Sequence, residues 1–278
     1  MITIGQFMGF EEDFREPEGW LSWQHLTYVT VIIAIAVLWG LWLGKRNRGK
    51  SIQEKKRPLR IAAVVMLVSE ITKITIFCIQ DGDFGIIRSN LPLFLCSIIF
   101  FTLPMAAFGK KRISDGAMNF TFVFGMLCCI AGTYLAGNIY ANSPIFSYSC
   151  IASNTAHCIG GFAAVYIGSA GLAKLHRGDR WIMTLILGVF EAVALIVDIL
   201  QTETSYQSNY MFFMKPDGTP FSICLDLVHG IQPLYTAFVA ALYFAYLFLF
   251  ILVWRLISRK NKKCIPAQDS ETEELPRS

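Results

Sequence analysis

Charge is scarce in this 278-residue chain: Asp, Glu, Lys and Arg make up 16% of it, against about 25% in ordinary soluble domains. Metal and redox spacings are missing as well. The eight cysteines contain no CxxC and the four histidines no HxxxH or HExxH, which argues against a structural or catalytic zinc site and against a disulfide framework. No basic n-region precedes the first apolar run, because residues 1–19 are acidic, so nothing reads as a cleavable signal and the first run itself is the expected targeting segment. No internal repeat appears, which weakens the case for a transporter of duplicated halves. No connection is long enough to fold alone, the longest being 201–229, so a soluble output module is not expected.

What is abundant is apolar sequence. Hydrophobic residues make up 54% of the chain, and the mean hydropathy is +0.50. Seven runs, 26–44, 59–79, 91–108, 118–137, 151–173, 181–200 and 230–258, approach or exceed the roughly 20 residues that cross about 30 Å of hydrocarbon. They are continuously apolar and lack the alternation of a transmembrane β-strand. The expected fold is therefore all-α: a polytopic bundle of seven transmembrane helices over 1–258, followed by a disordered tail at 259–278 that turns from basic to acidic.

Lys and Arg alternate between connections. Lys45, Arg46, Arg48, Lys50, Lys55, Lys56 and Arg57 lie in the first, Lys110, Lys111 and Arg112 in the third, Lys174, Arg177 and Arg180 in the fifth. Arg255, Arg259, Lys260, Lys262 and Lys263 begin the tail, whereas the other side carries only Arg15, Arg88 and Lys215. Short loops with this bias face the cytoplasm, so the amino terminus is expected outside and the carboxyl terminus inside the cell membrane. The net charge of +4 follows from this bias and gives no reason to expect nucleic acid as a partner; anionic lipid is the natural counterpart of basic inner loops. Trp20, Trp23, Trp39, Trp42, Trp181 and Trp254 sit near run ends as interfacial belts.

Ionisable groups cost free energy in lipid and usually face the bundle interior. Glu70 and Lys73, three apart, share a helix face; Glu191 and Asp198, seven apart, share another. Asp226 and His229 lie where the last helix begins and read as capping and loop-anchoring residues. His25 and His176 read as interfacial and solvated. Cys150 and Cys224 both fall on the expected outer side, where pairing is open.

Cys96 and His157 differ from these. Counted as helix from 91 and from 151, each lies about 8 to 9 Å below the outer boundary. A thiol becomes a nucleophile when a base takes its proton, and a histidine is the commonest base. Asn154, three residues before His157, is placed to orient the imidazole or to bind a carbonyl oxygen. The plainer reading is that the cysteine packs as a small hydrophobe and the histidine is satisfied by a carbonyl. A metal site from His157, His229 and Asp226 is weaker still, so neither metal nor cofactor is expected.

At these residues the chain resembles the YwaF-like family of bacterial integral membrane proteins, related to the vertebrate transmembrane protein 164 family. The resemblance rests on LPLFLCSI over 91–98, on 154–157 before a small-residue helix, and on NYMFFMKP over 209–216, with a weaker match through Leu225, Asp226 and Gly230. It implies a cysteine acyltransferase acting on phospholipid, with Cys96 and His157 as the essential pair. One departure stands out: many relatives resemble LPLHLCS, and this chain has Phe94 where they carry His. The expectation is acyl transfer or lipid hydrolysis with Cys96 as nucleophile and His157 as base. Asn154 and Ser97 would be oxyanion donors, and Glu70, Lys73 and Glu191 orienting groups; Asn209 and Asp226 belong to the supporting set. The alternatives are a small-solute carrier with Glu70, Lys73 and Glu191 as a midplane site, in which Cys96 only packs, and a seven-helix sensor without enzymatic activity.

Overall fold

The computed structural model describes residues 3–11, 16–175, 178–204 and 207–263. Among these are ten α-helices: α1 (Ile4–Met8), α2 (Trp23–Asn47), α3 (Ile52–Asp81), α4 (Ile99–Phe108), α5 (Lys111–Tyr134), α6 (Gly137–Asn142), α7 (Tyr148–Ser169), α8 (Asp179–Gln201), α9 (Ser222–Leu227) and α10 (Gln232–Lys263). The long helices start where hydroxyl side chains satisfy free N–H groups. Ser22 Oγ accepts from His25 N at the head of α2, a reciprocal Ser51–Glu54 capping box opens α3, and Ser147 caps α7.

Among the described residues six helices are long and apolar enough to cross a membrane. The third apolar run is not a seventh of that kind. Residues 91–95 lack α-helical structure, Cys96–Ile98 is a single 3-10 turn, and only then does α4 begin. The preceding stretch Phe84–Asn90 is 3-10 as well. The reason lies in the sequence: Pro92 has no N–H, and the segment finds other partners. Leu93 N donates to Leu91 O, and Leu91 N donates to the Tyr210 hydroxyl. Irregular backbone at membrane depth is stable only where protein or an aqueous cavity surrounds it, and here it lines both.

Lys56 Nζ donates to Ser114 Oγ at 2.6 Å, so α3 and α5 begin at one end of the bundle and the chain returns to that end through 84–108. This end also carries Lys45, Arg46 and Lys110, and is called the basic end below. The centre of the bundle is α5, flanked by α4, α7 and α8. Its contact with α7 is close because of small residues: a Cβ on Gly125 would lie 2.5 Å from the Gly160 carbonyl oxygen, and one on Gly161 2.7 Å from Cys129 Sγ. Small residues in this register let two helices approach backbone to backbone. α2 and α3 both pack on α7 but hardly on each other, which leaves a groove between them.

Candidate functional site

Cys96 opens the 3-10 turn before α4, and His157 stands on α7. Twelve residues separate each from the basic-end terminus of its helix, Phe108 and Ser169, about 18 Å of rise in both cases. They are thus level with each other. For Cys96 this corrects the depth counted as helix from residue 91, since that stretch is not helical.

Both line one cavity of about 290 Å³ between α3, α4, α5 and α7. Ser97, Glu70, Lys73 and Phe94 lie in the same wall, with Ser149 and Ser153 from α7 and Cys128 from α5. Glu70 and Lys73 form a 2.7 Å ion pair whose side chains are only 12% and 20% exposed. Lys73 is an electrostatic neighbour of both Cys96 and His157, and Glu70 of Cys96. The cavity therefore brings together the Cys96 and Cys128 thiols, an imidazole, a paired carboxylate and ammonium, hydroxyls and the Asn90 side chain among apolar residues. Cys96 Sγ lies 4.0 Å from Ser97 Oγ. Among the described residues the N–H of Leu95, at the start of a helical segment, has no backbone acceptor, as the first amides of any helix lack one unless capped, whereas the Cys96 N–H is directed at its own sulfur.

The His157 ring rests on a glycine. A Cβ at Gly132 of α5 would lie 2.5 Å from His157 Nε2 and nearer still to two other ring atoms. Gly132 escapes sequence reading because a lone glycine in an apolar helix has no distinctive signal.

Other expected site residues lie elsewhere. The Asn154 amide does not turn toward His157: Nδ2 donates to Cys150 O at 2.7 Å, and Oδ1 accepts from Tyr140 OH at 2.7 Å. It fixes α7 to α6 on the face away from the cavity. Glu191 is buried on α8, its Oε1 without a hydrogen-bond partner, and does not line the cavity with Glu70 and Lys73. Asp226 is exposed on α9; its carbonyl oxygen accepts from His229 N, and neither residue caps α10, which starts at Gln232. Cys150 and Cys224 are buried and not paired with each other. His25 is not solvated but buried: Nδ1 accepts from Leu21 N at 3.1 Å and Nε2 therefore donates to Thr133 O at 3.1 Å. Both ring nitrogens are thereby used. His176 lies outside the described residues. Among the described residues no three His, Cys, Asp or Glu side chains converge as metal ligands.

Asn209 has a structural task that explains its motif. Its Oδ1 accepts from Met214 N and Lys215 N, and its Nδ2 donates to Lys215 O and Asp217 Oδ2. This closes a tight loop in which Met211 and Phe212 adopt φ of 53° and 59°, a strained region for side-chain-bearing residues. Asp198 Oδ1 holds the loop by accepting from Ser208 Oγ and Tyr210 N. From α10, Tyr243 and Tyr235 donate to the Met211 and Phe212 carbonyl oxygens. The loop then grips the segment before Cys96: Tyr210 OH accepts from Leu91 N at 2.9 Å and donates to Arg88 O at 2.6 Å. Burial pushes the Tyr210 phenol up to about 12, so it remains a protonated donor at neutral pH. The Phe94 ring packs edge-on to Tyr210 at 5.2 Å and against Phe212 at 5.8 Å.

Six membrane-length helices among the described residues, three of which line a small polar cavity, define a multi-pass membrane protein. The chain belongs to the TMEM164 family, whose family model matches residues 20–258. No curated protein and no solved structure matches it.

Proposed function

We propose that the cavity is the site of acyl transfer from, or hydrolysis of, a membrane lipid, with Cys96 as nucleophile and His157 as base. The single observation that carries this reading is that these two side chains, from separate helices, stand at one height in the wall of one cavity. The reaction runs in two steps. The Cys96 sulfur attacks an ester carbonyl while His157 takes the thiol proton; the carbonyl carbon–oxygen bond to the alcohol then breaks, the alcohol leaves with that proton, and a thioester remains. A second alcohol, or water, attacks the thioester and regenerates the thiol. The Leu95 amide, with Ser97, supplies the donors for the developing oxyanion. The Glu70–Lys73 pair supplies the fixed dipole beside them, a task for which its own mutual neutralisation keeps it tolerable at depth.

The same reading sets the topology. The return through 84–108 serves as a seventh crossing, the basic end faces the cytoplasm and the amino terminus lies outside the cell membrane. The cavity then opens into the outer half of the bilayer, where lipid chains enter laterally.

The test is labelling with a lipid bearing a tagged acyl chain. Wild-type protein in vesicles acquires a hydroxylamine-sensitive tag and turns lipid over. Cys96→Ser, present at the same level, loses both. Persistence of the tag and of turnover in that variant ends the proposal.

A further inference from the structure

A second, larger cavity lies on the other face of α7. Its volume is about 610 Å³, within the usual range of small-molecule sites, and it occupies the space where α2 and α3 diverge over α7. Its walls are apolar through the bundle, with Ile35 and Trp39 from α2, Ile61 and Val65 from α3, and Ile159 and Phe162 from α7. At the basic end the character changes, and Arg46, Lys50 and Arg57 form the rim with Glu54.

One carboxylate, in the field of Lys50, against three cations leaves that rim net positive. Glu54 is occupied in its capping box, taking Ser51 N at 3.1 Å and Ser51 Oγ at 2.7 Å. Among the described residues Arg46, Lys50 and Arg57 form no salt bridge. Arg46 instead stands over the Trp42 ring at 5.4 Å. Three cations on an apolar groove match an anionic headgroup above acyl chains. Between Asn47 and Ile35 the groove follows α2 for about 18 Å, enough for the chains of one leaflet, which fill about half of a hydrocarbon core of roughly 30 Å.

The groove is also built rather than incidental. Buried Asn47 donates to Tyr166 OH at 3.2 Å, and Tyr166 OH donates to Lys55 O at 2.7 Å, so one polar chain bolts α2, α7 and the start of α3 together at its basic end. Ser169 Oγ donates to Gly40 O at 3.1 Å, closing α2 on α7 below it. The side chains that face the groove are thus held in place whether or not it is occupied.

From the charged rim, the apolar walls and the bolted frame, we infer that this groove binds one anionic phospholipid, its phosphate at Arg46, Lys50 and Arg57 and its chains between α2 and α3. The site is separate from the Cys96–His157 cavity and stands whether or not that cavity is catalytic. Its recognition rests on net negative charge, so phosphatidylglycerol fits and phosphatidylcholine does not.

The experiment compares the full-length protein in detergent with added phosphatidylglycerol or phosphatidylcholine, reading retained lipid by native mass spectrometry and the thermal midpoint in parallel. The wild type is expected to retain phosphatidylglycerol preferentially and to gain stability from it. The variant Arg46→Gln/Lys50→Gln/Arg57→Gln, whose changes are at exposed positions, is expected to bind it roughly 100-fold more weakly, at about fivefold for each cation lost. Ala62→Trp, which fills the groove and leaves the rim intact, is expected to exclude the lipid as well. Equal retention of the two lipids by the wild type overturns the inference, as does undiminished phosphatidylglycerol binding in either variant. Burial of the groove against a second copy of the chain, seen as a dimer that excludes lipid, overturns it too.

Discussion

Gly132→Ala is the sharpest test of the imidazole's role, because it removes no polar group. The added methyl would lie 2.5 Å from His157 Nε2, where ordinary contact begins at 3.4 Å. The ring must therefore retreat by about 1 Å, and a displacement of that size in a reacting group costs on the order of 100-fold in rate. The backbone does not oppose the change: alanine favours a helix interior over glycine by about 1 kcal/mol, so α5 persists and the strain falls on the ring. The assay is acyl transfer by purified protein in vesicles, with the maximal rate and the lipid dependence measured separately. The maximal rate is expected to fall about 100-fold while the lipid concentration at half-maximal rate changes little, the signature of a lost transition-state interaction. Adding Gly132→Ala to His157→Ala should cost nothing further, since both act on one group. Turnover of Gly132→Ala within about threefold of wild type would refute the assignment of His157 as base.

Further outcomes follow from the loop that holds the segment before Cys96. Tyr210→Phe leaves Leu91 N without its acceptor; the expected loss is about 1–3 kcal/mol, read as a lower thermal midpoint and faster proteolysis within 84–95, and unchanged protection of that segment would exclude the latch. Asn209→Ala removes four hydrogen bonds from a loop that carries two positive-φ residues. It should lower turnover even with Cys96 untouched, a result that hydrogen exchange of 209–216 can corroborate or contradict. Phe94→His places a second imidazole in the cavity wall and should raise the labelling rate; a rate equal to wild type would show that relatives do not need that histidine for chemistry.

The long helices were legible because continuous apolarity over membrane length has few structural solutions, and Cys96 and His157 were legible because ionisable and nucleophilic side chains in such runs are few. The third run misled for a local reason. Leu91 and Pro92 look like the first turn of a helix, and nothing in LPLFL announces that Leu91 N is to be taken by Tyr210, more than a hundred residues later. Asn154 misled in the same way: its spacing from His157 is helical, but Tyr140 and Cys150 claim its amide. His25 read as interfacial because it begins an apolar run, yet Thr133 and Leu21 bury it. Long-range hydrogen bonds leave no periodicity, and a glycine facing a histidine leaves none either.

The latch at Tyr210 has one further implication. A cavity sunk among helices is ordinarily beyond the reach of anything dissolved in water, yet the ring that steadies the segment in its wall hangs from a loop ending at the exposed Lys215–Asp217 pair. Whatever grasps that loop from the aqueous phase, whether an antibody fragment or a protease, gains leverage over an interior it never touches.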